Sequence, residues 1–233
     1  MIDPIEKFED SLVKDLAWRK KELQILKMAI IDTENIIYIK SYLLLLYSHW
    51  EGFVKKSALS YLNFINSRKI KLHKLNDNFL YLKIKKDIND CSLSLNNPSI
   101  GNELKLIRKI DKAKNEIFKI KISNNDKLKF IDTESNLSSS VFEKILNILG
   151  IEIPVDFSEL IIDKTNSYRY KARIHLIDFL LQERNSIAHG DVILEDDIND
   201  ILDRSVKIVE LLDLFIITLV ENIRVKNYLK SVS

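Results

Sequence analysis

The chain has 233 residues, with 36 Lys and Arg against 34 Asp and Glu and a formal net charge of +2. It holds only 4 Gly and 3 Pro, where average usage gives roughly 28 of the two together. These residues supply the positive φ angles and fixed bends of tight turns, so their scarcity argues against hairpin-rich β folds and Gly-rich phosphate loops, and for long helices. The one cysteine, Cys91, leaves no intramolecular disulfide and no Cys-based zinc site. The N-terminus lacks a basic region followed by an apolar core. The apolar runs Tyr42–Tyr47 and Leu214–Val220 fall far short of the roughly 20 residues of a membrane span. A soluble, cytoplasmic chain with no membrane partner is expected.

Asp3-Pro4 is read as N-cap and first helical residue. Ile5, Phe8, Leu12, Leu16 and Leu23 follow at helical spacing, which predicts a first helix to about residue 31. Asp32-Thr33 is taken as the next cap, and a second helix is predicted over 34–66. Its middle, Tyr42 to Trp50, is apolar nearly all round and is expected to be central and buried. The pattern weakens over 67–164, which is rich in Lys and Asn. That stretch is read as an insertion packed on the helical core, within a single domain of residues 1–233. Inside it a basic helix is predicted over 101–119, a short helix over 139–149 ended by Gly150, and an extended connector over 151–163. A third long helix is predicted over 168–189, stopped by Gly190, and a fourth over 196–229 with an acidic first turn. The expected fold is all-α: an antiparallel bundle of four long helices, with a partly helical insertion between the second and third.

One segment carries chemistry. Ile174, Ile177, Leu181, Arg184 and Ala188 recur in steps of three and four and share a helix face. Four of them are small or apolar, and Arg184 takes the remaining slot. A guanidinium keeps its charge, so it needs a carboxylate, a bundle edge, a subunit interface or an anionic ligand. Asn185 and His189 lie one turn apart, and His189 precedes Gly190 at the helix end. The plain reading is an Arg capping carbonyls and a His at a helix C-terminus. The chemical reading is metal-free phosphodiester work, with His moving a proton and Arg holding phosphate. No His-Glu-x-x-His or other metal-ligand pattern is present, so no metal and no cofactor is expected.

Arg184-Asn185-x-x-x-His189 resembles the Arg-x(4–6)-His signature of the HEPN superfamily, where a polar residue directly after the Arg is typical. Leu46-Tyr47-Ser48-His49-Trp50-Glu51-Gly52 resembles the Tyr-x-His-Trp-Glu-Gly block of its bacterial MAE-type branch. The stretch from Ser135-Asn136-Leu137 to Leu149-Gly150 resembles that group's middle region. The resemblance implies a helical bundle that forms a homodimer with two Arg/His motifs at a shared cleft. It implies a metal-independent endoribonuclease, often a toxin or anti-phage effector with an antitoxin or defence-operon partner. Other members are non-catalytic RNA- or protein-binding modules. By that resemblance Arg184, His189 and Asn185 are the catalytic set: His189 as acid and base, Arg184 on the phosphorane, and Asn185 on His189 or a phosphate oxygen. Glu51, His49 and Tyr47 are the supporting set, with Glu51 expected to pair with Arg184 and orient it. Trp50 is expected in the core.

Overall fold

A computed structural model describes residues 3–33, 35–93, 100–120, 130–134, 136–152, 162–163, 174–190 and 198–231. The fold is all-helical. The helices are α1 (Pro4–Thr33), α2 (Ile36–Ser67), α3 (Asp77–Leu93), α4 (Ile100–Lys114), α5 (Ser139–Leu149), α6 (Leu176–His189) and α7 (Ile198–Arg224). A 3-10 turn spans Leu72–Lys74, and two two-residue strands, β1 (Ile162–Asp163) and β2 (Ile174–His175), pair antiparallel.

The caps explain several boundaries. Asp3 Oδ1 accepts from the Ile5 amide at 3.0 Å, so Asp3-Pro4 starts α1 as its sequence suggests. The cap of α2 is not Asp32-Thr33: Asn35 accepts from Ile37 at 2.9 Å, and Thr33 closes α1 by donating to Ala29 at 2.8 Å. Ser138 caps α5, and Gly150, at φ 70°, ends it in the left-handed conformation that L-residues avoid.

Long α1, α2 and α7 form the frame. Phe8 meets Phe64 and Arg19 meets His49, so α1 and α2 run antiparallel. Glu9 pairs with Arg224 and Lys20 with Asp213, so α7 also opposes α1. Trp50 sits at the centre, fully buried, its ring 5.1 Å from Phe142, which in turn meets Phe215 at 5.6 Å. One continuous apolar core joins these helices to α3, α5 and α6, and takes in Leu72, Phe79 and Phe118. Burial of about a dozen such large side chains is the main stabilising term, at roughly 1.5–3 kcal/mol each.

Three expectations change here. The third long helix begins at Leu176, not residue 168, and has 14 residues; residues 164–173 lie outside the described set. Its core row is Leu176, Ile177, Phe179, Leu180 and Glu183, whereas Ala188, on the predicted stripe, is exposed. The last turn of α6 therefore projects past the helices that bury its start. Finally, α3 occupies a stretch with no predicted helix. The other ends differ by a few residues: α4 stops at Lys114 and α7 at Arg224.

Candidate functional site

The Tyr-x-His-Trp-Glu-Gly block divides over the faces of α2, because successive helical residues point about 100° apart. Trp50 faces the core. His49 and Gly52 face α1. Tyr47 and Glu51, one turn apart, face Thr133, Leu137 and α6.

On the α1 side lies a buried polar cluster. The Arg19 guanidinium donates from Nε to Asp15 at 3.1 Å and from Nη1 to His49 Nδ1 at 3.2 Å. It also lies 4.6 Å from the centroid of the Trp18 ring. A Cβ at Gly52 would stand 3.3 Å from Arg19 Nη1, so the missing side chain makes room for the guanidinium. Since Arg has no acceptor, His49 must present a bare Nδ1 and carry its proton on Nε2. Nε2 is 3.1 Å from Glu22 Oε2, though poorly aligned for a hydrogen bond. Burial, then the Arg19 charge, hold the His49 pKa below its usual 6.5, against Glu22 and Asp15. Burial raises the Asp15 pKa, but hydrogen bonds from Lys56, Trp18 and Arg19 outweigh it and leave the carboxyl below the usual range. His49 thus ties α1 to α2 as a neutral base, and lies on the face of α2 turned away from the Arg184 cluster.

A depressed histidine pKa has a definite consequence. The unfolded chain takes up this proton first as pH falls, so the stabilisation is complete above 6.5 and is lost below it. Unfolding free energy is expected to fall as the pH drops below 6.5 in denaturant titrations. His49→Gln should flatten that slope while costing about 1–2 kcal/mol at neutral pH.

On the other side of α2 the motif is assembled. Thr133, buried, donates its hydroxyl to Glu51 Oε1. The Tyr47 hydroxyl accepts from the Leu137 amide at 2.8 Å. Burial, helped by the Glu51 carboxylate, raises the Tyr47 pKa above its usual 10.0, so the hydroxyl stays protonated. Asp178 of α6 accepts from the Ser139 amide at 2.8 Å and its hydroxyl at 2.6 Å. These bonds fasten residues 133–134 and 136–139 between α2 and α6 and bring Asn136 to the motif.

Arg184 is half-buried and lies over the Tyr47 ring, 5.0 Å from its centroid. Its Nη1 donates to Asn185 Oδ1 at 2.7 Å and Asn136 Oδ1 at 3.3 Å. No carboxylate among the described residues lies within ion-pair distance of it, so the expected Glu51–Arg184 pair does not form. Glu51 instead holds Thr133 and acts on Arg184 only through the segment that carries Asn136. The expected role of Asn185 changes as well, since its oxygen is engaged by Arg184 rather than by His189. Both polar partners are neutral, and among the described residues only Nη1 is used. The Nε–Nη2 edge makes no hydrogen bond among the described residues, and this is the two-donor edge that fits phosphate or carboxylate.

His189, the last residue of α6, is exposed. It makes no hydrogen bond to any described residue. Gly190, at φ 83°, closes the helix through its amide to the Ile187 carbonyl at 3.1 Å. The helix alone places His189 one turn beyond Asn185, at the open end of the motif. Among the described residues no group of three or more His, Cys, Asp or Glu is placed to hold a metal ion, and no helix is long and apolar enough to cross a membrane. The sequence alone gives Asn136 no role. It sits on a different segment from the motif, and no spacing rule links position 136 to 184.

A helical core that brings Arg-Asn-x-x-x-His to an open helix end, braced by a Tyr and a Glu from the central helix, is that of a HEPN-type protein. The profile of the HEPN_MAE_28990-like HEPN family matches residues 8–228, and the chain belongs to that family. No curated protein and no solved structure matches it.

Proposed function

We propose that the chain binds RNA at Arg184 and cleaves it without a metal ion. The observation that supports this reading is the charge state of the Arg184 site: a half-buried guanidinium clamped by two amide oxygens and an aromatic face, with no carboxylate among the described residues to neutralise it. Such a clamp orients the cation and leaves its charge for an anion. In the proposed reaction His189 takes the proton from a ribose 2′-hydroxyl as that oxygen attacks the adjacent phosphorus. Arg184 stabilises the phosphorane through Nε and Nη2. The bond to the 5′-oxygen breaks, and that oxygen leaves with a proton from an acid. The products are a 2′,3′-cyclic phosphate and a 5′-hydroxyl. One protomer offers one motif histidine, and the step needs a base and an acid, so a twofold dimer with a shared cleft supplies the second. An activity of this kind suits a toxin or anti-phage effector held in check by an operon partner.

The test is cleavage of labelled RNA in excess EDTA. The wild type should cut, and His189→Ala should lose about 10²–10⁴-fold in rate while still binding RNA. Cleavage that requires metal, or that survives His189→Ala, overturns the mechanism. A second reading, a non-catalytic RNA-binding module, is favoured by the absence of any described partner to orient His189. It predicts binding with no cleavage by the wild type.

A further inference from the structure

The charge of this chain is unevenly placed. Residues 67–120 carry thirteen Lys and Arg against six Asp and Glu, a net +7 in a chain whose total is +2, so the remainder is −5. The fold concentrates this excess further. The end of α4 is stitched to the turn after α2: the Leu72 amide donates to the Glu116 carbonyl at 2.9 Å, and the Phe118 amide to the Ile70 carbonyl at 2.8 Å. Lys71 and Ile117 form an antiparallel bridge. Side chains alternate across such a ribbon. Phe118 turns inward and is fully buried against Phe79. Lys71 and Lys119 turn outward and are exposed, with exposed Lys69 beside them at the turn.

Among the described residues, four of the six acids of this stretch are already paired. Asp77 pairs with Lys230, Asp87 with Lys109, Asp111 with Lys114 and Glu116 with Lys83. Lys69, Lys71 and Lys119 have no acidic partner among the described residues. Exposed Lys112, in the last turn of α4, extends the same basic end. Self-repulsion among such cations is relieved by a polyanion that releases its counterions on binding. The ribbon lies at the far end of α2 from Tyr47, about 30 Å along the helix axis at 1.5 Å per residue.

We infer that the outer face of the 69–71/117–119 ribbon is a second RNA-docking surface, which holds the phosphate backbone of a strand whose other part lies at Arg184. This rests on the RNA reading above and adds a location to it. A dinucleotide reaches only the Arg184 site, whereas a long strand reaches both.

The test uses the triple variant Lys69→Glu, Lys71→Glu, Lys119→Glu and, as a control of equal charge change, Lys14→Glu, Lys21→Glu, Lys55→Glu. Binding of a long unstructured RNA is followed against salt with His189→Ala added to each protein, and single-turnover cleavage of a dinucleotide without it. The ribbon triple should weaken long-RNA binding at least tenfold and flatten the slope of log affinity against log salt by about 2, from three lost phosphate contacts. It should cleave the dinucleotide at the wild-type rate, and the control should do neither. An unchanged slope, or an equal loss in the control, overturns the inference while the RNA reading stands. So does a loss of dinucleotide cleavage in the ribbon triple, which places these lysines in the cleavage site. Wild-type protein that neither binds nor cuts RNA overturns both readings, and an acidic protein captured through the same lysines then becomes the alternative.

Discussion

Arg184→Ala is expected to lower metal-free RNA cleavage by about 10²–10³-fold, the usual consequence of removing one donor aimed at developing charge. The fold should survive it. The guanidinium is only half-buried, and the groups it leaves behind are two side-chain amides and an aromatic ring, all able to meet water. A stability change within about 1 kcal/mol is expected, read from denaturant or thermal unfolding. Arg184→Lys should not restore the rate. Lysine keeps the charge but replaces the flat two-donor edge with a point cation, and it cannot reach Asn136 and Asn185 while presenting a fork to phosphate. A lysine variant that cleaves at the wild-type rate would show that charge alone suffices and that the clamp is incidental.

How far the sequence reveals this arrangement depends on the kind of contact involved. The ends of α5 and α6 are legible because Ser138, Gly150 and Gly190 act locally, through one cap bond or one positive φ. The buried middle of α2 is legible because an all-round apolar run too short to cross a membrane has to be buried in a core. The helix α3 is hidden because Leu80, Leu82 and Ile84 alternate like a strand, and among its residues of described burial just Phe79, Leu82 and Ile84 are buried in the folded protein. The α6 stripe is misread because a helical wheel treats each turn alike, whereas the last turn of α6 stands clear of the core. The partners of Arg184 are the least legible. Proximity in sequence points to Asn185, and charge complementarity points to Glu51. Yet Glu51 is spent on Thr133, and Asn136 arrives from 48 residues away. Tyr47, Glu51 and His49 are adjacent in one block, but α2 sends the first two to the motif and the third to Arg19. A block of neighbouring residues on a central helix serves two sites because the helix has more than one buried face.

Asn136→Asp separates the two things a clamp can do. The substitution keeps the size and the acceptor oxygen, so the hydrogen bond to Arg184 Nη1, at 3.3 Å in the wild type, is retained or strengthened. It adds a negative charge beside the guanidinium. At 4 Å and an effective dielectric near 20 such a pair attracts by about 4 kcal/mol before screening, and half-exposure reduces the net effect on stability to about 1 kcal/mol or less. The folded state should therefore be as stable as wild type or slightly more so. The anion site should be spoiled, because phosphate now competes with a fixed carboxylate for the same cation. Cleavage and RNA affinity are expected to fall about ten- to a hundredfold, and the loss should shrink as salt screens the exposed charges. Asn136→Ala removes the oxygen without adding charge. It should cost less, since Asn185 still holds Nη1 at 2.7 Å. If the clamp merely fixes geometry, the order reverses: Asp, which keeps the bond, outperforms Ala. The two variants, measured side by side for melting temperature, RNA affinity and single-turnover rate, decide whether this site is built only to hold an arginine in place or to hold it there with its positive charge left unneutralised. Only the second serves an anionic ligand.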